Sequence, residues 1–328
     1  MSGPGHYHLP MRVVSLLPSA TETLAGIGGS SLLVGRSGDC DHPPSVASVP
    51  ALTRPLVRGA DPGEVDRQVR ERLGAGGIEA LDAEGLAALA PDLILLQEAC
   101  GVCGVHPPLV HQALSDAGLA PRLLFLNANG VEDMLDAAIA IGDATGLERE
   151  AEAAVTGWRD RLHRALDLTS PYVSLPRAAA LEWTDPLFIA GGWMAQMIER
   201  AGAEHPLSPT RALPGAGAGA GAHAAHRIGG PARQIDGREL AAARIETLIV
   251  APCGEPVDVA LRHVDRLSSE PWWEELPAVR RGRVIVADGR LLSRPGPRLI
   301  DAQEWLVSVL AGRPEADPGT VEHRFWRG

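Results

Sequence analysis

Four cysteines stand where thiol chemistry is possible: Cys40, Cys100, Cys103 and Cys253. Cys100 and Cys103 form a Cys-x-x-Cys within Gln97-Glu98-Ala99-Cys100-Gly101-Val102-Cys103-Gly104-Val105-His106. The apolar run Pro91-Asp92-Leu93-Ile94-Leu95-Leu96 precedes it and reads as a buried strand ending in a Gly-rich loop. Cys40 follows Leu32-Leu33-Val34-Gly35-Arg36-Ser37, and Cys253 follows Leu248-Ile249-Val250-Ala251-Pro252, so each also falls just past a strand. Ligands bind at the carboxyl ends of strands in open parallel sheets. Four thiolates are enough for tetrahedral zinc or an iron–sulfur cluster, with His42 and His106 as spare ligands. A reactive or redox pair is a second reading of the same residues, and small buried apolar packing is a third.

Other candidates sit at comparable places. Trp183 ends the strand predicted over 177–183 and Trp193 starts the helix predicted over 193–201, positions from which indoles could stack on a flat macrocycle; core packing competes as an explanation. Glu182 and Arg36 are charged residues at strand ends, open to ligand contact or to ordinary salt bridges. Pro18-Ser19-Ala20-Thr21-Glu22-Thr23 reads as a turn into a helix, with Ser19 and Glu22 spaced as a capping box. Free backbone N–H groups at Ser19, Ala20 and Thr21 would suit a polar or anionic ligand group. Trp158 and Trp305 lie on apolar helix faces and are expected in the core. No Ser-His-Asp arrangement, phosphate loop or paired-carboxylate motif stands out, which leans away from an enzyme.

Strands and helices alternate along the whole chain, which predicts parallel sheets covered on both faces. Strands are expected over 12–17, 32–36, 91–96 and 122–126, with helices over 63–73, 85–90, 107–117 and from Val131 to a stop near 142–146. A long amphipathic helix over 147–167 has no strand of its own and is placed to join two lobes, over 11–146 and 169–328 with the connecting helix at 147–168. The alternation then restarts: strands over 177–183, 247–251 and 283–288, helices over 236–243, 257–267 and 299–310. Residues 206–234, with their Gly-Ala repeat, read as a flexible insertion whose glycines do not fit a dinucleotide fingerprint.

With 328 residues there is chain for two domains. The net charge of -11 argues against nucleic acid or an anionic membrane surface as the main partner. All 30 basic residues are arginine. The amino end carries no secretory pattern and no stretch suits a bilayer span, so the expected compartment is the cytoplasm, or the periplasm or exterior for a chain with a different start.

Arg12-Val13-Val14-Ser15-Leu16-Leu17-Pro18-Ser19-Ala20-Thr21-Glu22 resembles the opening of the class III periplasmic binding proteins, which carry vitamin B12, haem and iron-siderophores for ABC transporters. Gly35-Arg36-Ser37-Gly38-Asp39-Cys40-Asp41, Pro91-Asp92-Leu93-Ile94 and Ser293-Arg294-Pro295-Gly296-Pro297-Arg298 are similar to its cobalamin-binding branch. The resemblance covers roughly residues 11 to 310. It implies an α/β fold of two Rossmann-like lobes with parallel-rich sheets joined by one long α-helix, and a ligand in the cleft. The expected function is therefore binding of a small molecule, a cobalamin-like corrinoid or related tetrapyrrole or metal chelate, with an ABC transporter as partner if the chain is exported. The alternative is a cytoplasmic metalloprotein with a cysteine-ligated zinc or iron–sulfur centre.

Overall fold

Short apolar runs bounded by Gly, Pro and Asp form the parallel strands, and most of these are followed by a helix. The computed structural model describes residues 10–73, 76–98, 104–169, 175–213 and 227–327. They divide into two compact units. The first takes its described residues from Met1–Arg58, Val69–Asn127 and Ala137–Glu152, the second from Gly59–Gln68, Ala128–Asp136 and Ala153–Gly328.

In the first unit the order is β1 (Val13–Ser15), α1 (Pro18–Gly26), β2 (Leu33–Arg36), β3 (Thr53–Pro55), α2 (Pro62–Leu73), β4 (Glu79–Leu81), α3 (Ala83–Leu89), β5 (Leu93–Leu96), α4 (Pro107–Asp116), β6 (Arg122–Phe125) and α5 (Val131–Thr145). Strands β2-β1-β5-β6 form one sheet, every neighbouring pair parallel. All four residues of β5 are buried, as a strand covered on both faces requires. Val14, Leu16, Ile94, Leu96, Val110 and Leu114 form the core beside it. The pair β3-β4 is a separate antiparallel ladder. The first turns of α2 and α5 belong to the second unit.

The second unit continues with α6 (Glu148–Asp167), β7 (Ala178–Thr184), β8 (Leu187–Ile189), α7 (Gly192–Arg200), β9 (Arg211–Ala212), β10 (Arg227–Ile228), β11 (Arg233–Gln234), α8 (Gly237–Ala242), β12 (Thr247–Val250), α9 (Val257–Leu267), α10 (Pro277–Arg280), β13 (Val284–Ala287), α11 (Gly289–Leu292), α12 (Arg298–Leu310) and β14 (His323–Phe325). Its sheet runs β11-β8-β7-β12-β13-β14. The central strands β7, β12 and β13 are parallel, and antiparallel strands close both sides. Trp273 and Trp305 are fully buried. Helix α6 is tied by Arg161, whose guanidinium bonds Asp301 at 2.6 Å and Glu304 at 2.5 Å.

Several local expectations change. Helix α1 starts at Pro18, not after Ser19: Leu17 is the capping residue and no side chain caps it. Proline suits a first helical position because it has no N–H to satisfy. Ser19 and Glu22 therefore do not form a capping box. Between the strand expected over 177–183 and the helix expected over 193–201, the chain turns at Pro186 into β8. Helix α5 ends at Thr145, within the expected 142–146; a Cβ at Gly142 would stand 2.5 Å from that of Ala151, so glycine there lets α6 start close by. Within 206–234, β9 pairs with β10 and β11 with β8, while the Gly-Ala repeat lies outside the described residues.

Candidate functional site

In the first unit the chain leaves β1 for β2 on one side and later returns to β5 on the other. That order makes the carboxyl ends of β1 and β5 the switch point of the sheet, where a crevice is built into such folds. Residues 99–103, with Cys100 and Cys103, follow β5 and lie outside the described residues. After β1 comes α1, whose side chains at Ser19, Ala20, Thr21 and Glu22 are buried. What the helix start offers is backbone: the first amides of a helix have no acceptor within it.

The loop after β2 folds back onto that helix. Ser37 N donates to Ser15 O at 2.8 Å. Cys40, 2% exposed, has its sulfur 3.0 Å from Thr21 Oγ1. This is the geometry of a packed residue that fixes the loop. Arg36 is used in the same way: its Nε donates to the carbonyls of Val46 and Val49, both at 3.0 Å, and its Nη1 to Ser37 O at 3.0 Å. Beneath the loop, Glu79 of β4 is buried beside Asp39 and Thr53, and its Oε2 has no hydrogen-bond partner among the described residues. Burial, then the hydrogen bond and charge of Asp39, push the Glu79 carboxyl up to about 8. Nothing in its sequence setting marked Glu79 out, since the neighbour that shifts it comes from 40 residues earlier.

In the second unit the parallel strands β7, β12 and β13 end at Glu182 to Thr184, at Ala251 to Cys253 and at Asp288. Cys253, partly exposed, donates its N–H to Glu182 O at 2.9 Å. Trp183 is half-buried, and its Nε1 donates to Pro62 O at 3.2 Å and to Asp185 O at 3.1 Å. The edge-on imidazole of His263 lies with its centroid 5.5 Å from the Trp183 ring, while its Nδ1 is 2.6 Å from Thr184 Oγ1. Trp193 Nε1 donates to Leu292 O at 2.9 Å, which joins α7 to α11. Asp288 caps α11 and bonds Arg290 at 2.8 Å. The sequence signal for the pairing of His263 with Thr184 was slight: one histidine on an amphipathic helix with no ligand spacing.

Among the described residues no group of three or more His, Cys, Asp or Glu side chains could hold a metal ion. Cys40 and Cys253 belong to different units, and Cys100 and Cys103 are outside the described residues. A zinc or iron–sulfur site at the four cysteines thus gains no support. No described helix is long and apolar enough to cross a membrane.

Two buried histidines set the acid behaviour. Burial lowers His205 from its ordinary 6.5 to about 4, and burial with the nearby Arg266 and Arg262 lowers His263 to about 4. Each is held neutral in the fold, while the unfolded chain takes up a proton near pH 6.5. Stability is therefore unaffected above that pH and is lost as pH falls from 6.5 to 4. For His205 alone the loss is about 3 kcal/mol. Urea unfolding at stepped pH should show this decline, and resonances assigned to His205 and His263 that titrate near 6.5 in the folded protein would contradict it.

A family model described as periplasmic binding protein matches residues 13–291. The chain belongs to this family. Periplasmic binding proteins are also its structural relatives. A periplasmic haem-binding protein from Pseudomonas aeruginosa is 26% identical, with a TM-score of 0.69 over 98% of this chain and 100% of that one. The apo periplasmic haem-binding protein RhuT from Roseiflexus sp. RS-1 is 22% identical, with a TM-score of 0.64 over 94% of this chain and 99% of that one. The periplasmic vitamin B12-binding protein BtuF of Vibrio cholerae is 17% identical, with a TM-score of 0.60 over 93% of this chain and 98% of that one. Comparison with curated proteins finds no match. The family supplies the small-ligand-binding components of ABC transporters, and its two-lobed α/β architecture is the one predicted from the alternation of elements.

Proposed function

We propose that this protein binds a tetrapyrrole, haem or a corrinoid, at the carboxyl ends of its parallel strands, and that its partner is an ABC transporter. The observation that carries the reading is the likeness over 98% of the chain to a protein that binds haem in the periplasm. Local chemistry supports it. Trp183 is a half-buried indole at the end of β7, held by two hydrogen bonds from Nε1. A flat macrocycle laid along such a ring gains contact area at little cost in side-chain entropy. Arg36 and Trp193 serve as supports, since their polar atoms are engaged in holding loops.

Absorbance titration with haem and with cyanocobalamin tests the proposal. Expected is a saturable spectral shift with at least one of them, weakened about tenfold in Trp183→Ala, the loss of one stacking contact. Trp193→Ala should lower stability more than affinity. Absence of saturable binding to haem, cobalamin or a ferric chelate would remove the reading.

A further inference from the structure

Helices α8 and α10 lead into β12 and β13, so the surface between these helices lies at the amino ends of those strands, the opposite end of the sheet from Trp183 and Asp288. There the second unit has a cavity of about 750 Å³ whose lining includes Arg238, Arg244, Arg280, Trp272 and Glu275. The charged part of the lining is three arginines and one glutamate, in a chain whose net charge is -11. Opposite charge is plentiful in this molecule, yet no ion pair of Arg238 or Arg244 occurs among the described residues.

Three details describe how this surface is built. Arg280 is fixed by backbone carbonyls, its Nε donating to Glu274 O at 2.8 Å and its Nη2 to Glu275 O at 3.0 Å. Carbonyls orient a guanidinium without neutralising it. Arg244 follows the end of α8 with φ +53°, in the left-handed region where glycine or asparagine is ordinarily found. The side chain is carried there against steric preference. Trp272 supplies the apolar wall. It lies so close to α8 that a Cβ on Gly237 would stand 2.0 Å from its Nε1, so only glycine allows the indole this seat.

We infer that this cavity is a second binding site, separate from the tetrapyrrole surface, for a small organic polyanion. Its phosphate or carboxylate groups are taken by Arg238, Arg244 and Arg280, and its apolar part lies along Trp272. The volume falls in the range of small-molecule sites. Planar guanidinium groups match the oxygen geometry of both anion classes.

Calorimetric titration of the whole protein with pyrophosphate, citrate and benzene-1,3,5-tricarboxylate separates the phosphate, aliphatic and aromatic versions of the ligand. At least one should bind saturably, more weakly as salt rises, and both Arg238→Ala and Arg244→Gly should weaken it at least tenfold. Arg244→Gly is the sharper variant, because glycine relieves the left-handed backbone and its thermal midpoint should be no lower than the parent's. Loss of binding there cannot be laid to unfolding. No saturable binding of any of the three probes up to about 10 mM, or parental affinity in either variant, would overturn the inference. Haem and cobalamin titrations should be unchanged in both variants, so the two sites fail or stand independently.

Discussion

Glu79→Gln should make the protein more stable than its parent in alkaline solution and leave it nearly unchanged in acid. The Glu79 carboxyl is raised from 4.5 to about 8 by burial and by Asp39. Below pH 4.5 it is protonated in the folded and unfolded chain alike, and its contribution is fully present. As pH rises from 4.5 to 8 the unfolded chain gives up the proton while the fold retains it, so stability falls at about 1.4 kcal/mol per pH unit. The accumulated loss by pH 8 is roughly 3–5 kcal/mol. Glutamine keeps the shape and a donor toward Asp39 but has no proton to lose. Urea midpoints measured from pH 4.5 to 9 should slope down for the parent and stay level for the variant. Parallel curves would show that Glu79 is ionised in the fold. His205 and His263 act in the opposite sense below pH 6.5, so these three groups together put the stability maximum near pH 6.5.

Gly289→Ala is expected to cost about 3 kcal/mol or more. A Cβ at this position would stand 1.8 Å from Pro252 O and 2.7 Å from Pro252 C. Both are backbone, so no side-chain rotation relieves the clash. The loops after β12 and β13 must separate, breaking the hydrogen bond from Gly289 N to Glu255 O, 2.9 Å long. Two other glycines calibrate the effect. Gly282, at φ +61° with nothing within 4 Å of a Cβ, should lose only about 1 kcal/mol as alanine, from backbone strain alone. Gly157 lies within α6 with equally open surroundings, and alanine there should stabilise the helix by about 0.5–1 kcal/mol. Guanidinium unfolding of the three variants gives the order. A Gly289→Ala protein as stable as the parent would mean the two loops are not in close contact.

Where burial alone decides an element, the sequence reads well. Strand β5 is four consecutive apolar residues, and α9 occupies Val257–Leu267, the expected range. Elements fixed by partners were not legible. Strands β3, β4 and β8 are three residues each, too short to show a period, and exist because a neighbour completes their hydrogen bonds. Pro18 carried the signal for the start of α1, and the Ser-x-x-Glu spacing beside it pointed to the wrong residue. In the site, Trp183 could be placed at a strand end from its own neighbourhood. The hydrogen bond to Pro62, 121 residues away, could not. Cys40 shows the limit of counting ligands: its position past β2 was foreseen, but its sulfur is directed at Thr21, a matter of packing.

The second unit includes two segments, Gly59–Gln68 and Ala128–Asp136, that precede its main run in sequence. Gln196 accepts from Val131 N at 2.9 Å, Arg200 bonds Glu132 at 2.6 Å, and Arg266 bonds Asp61 at 2.5 Å. During synthesis the whole of the first unit, up to Glu152, is made before Gln196, Arg200 and Arg266. The first unit can thus be complete while two pieces of the second wait beside it without their partners, for about 10 s at ordinary elongation rates. Cutting the gene after residue 146 would leave each fragment holding part of the other's structure, and the two halves should recover their fold only when made together.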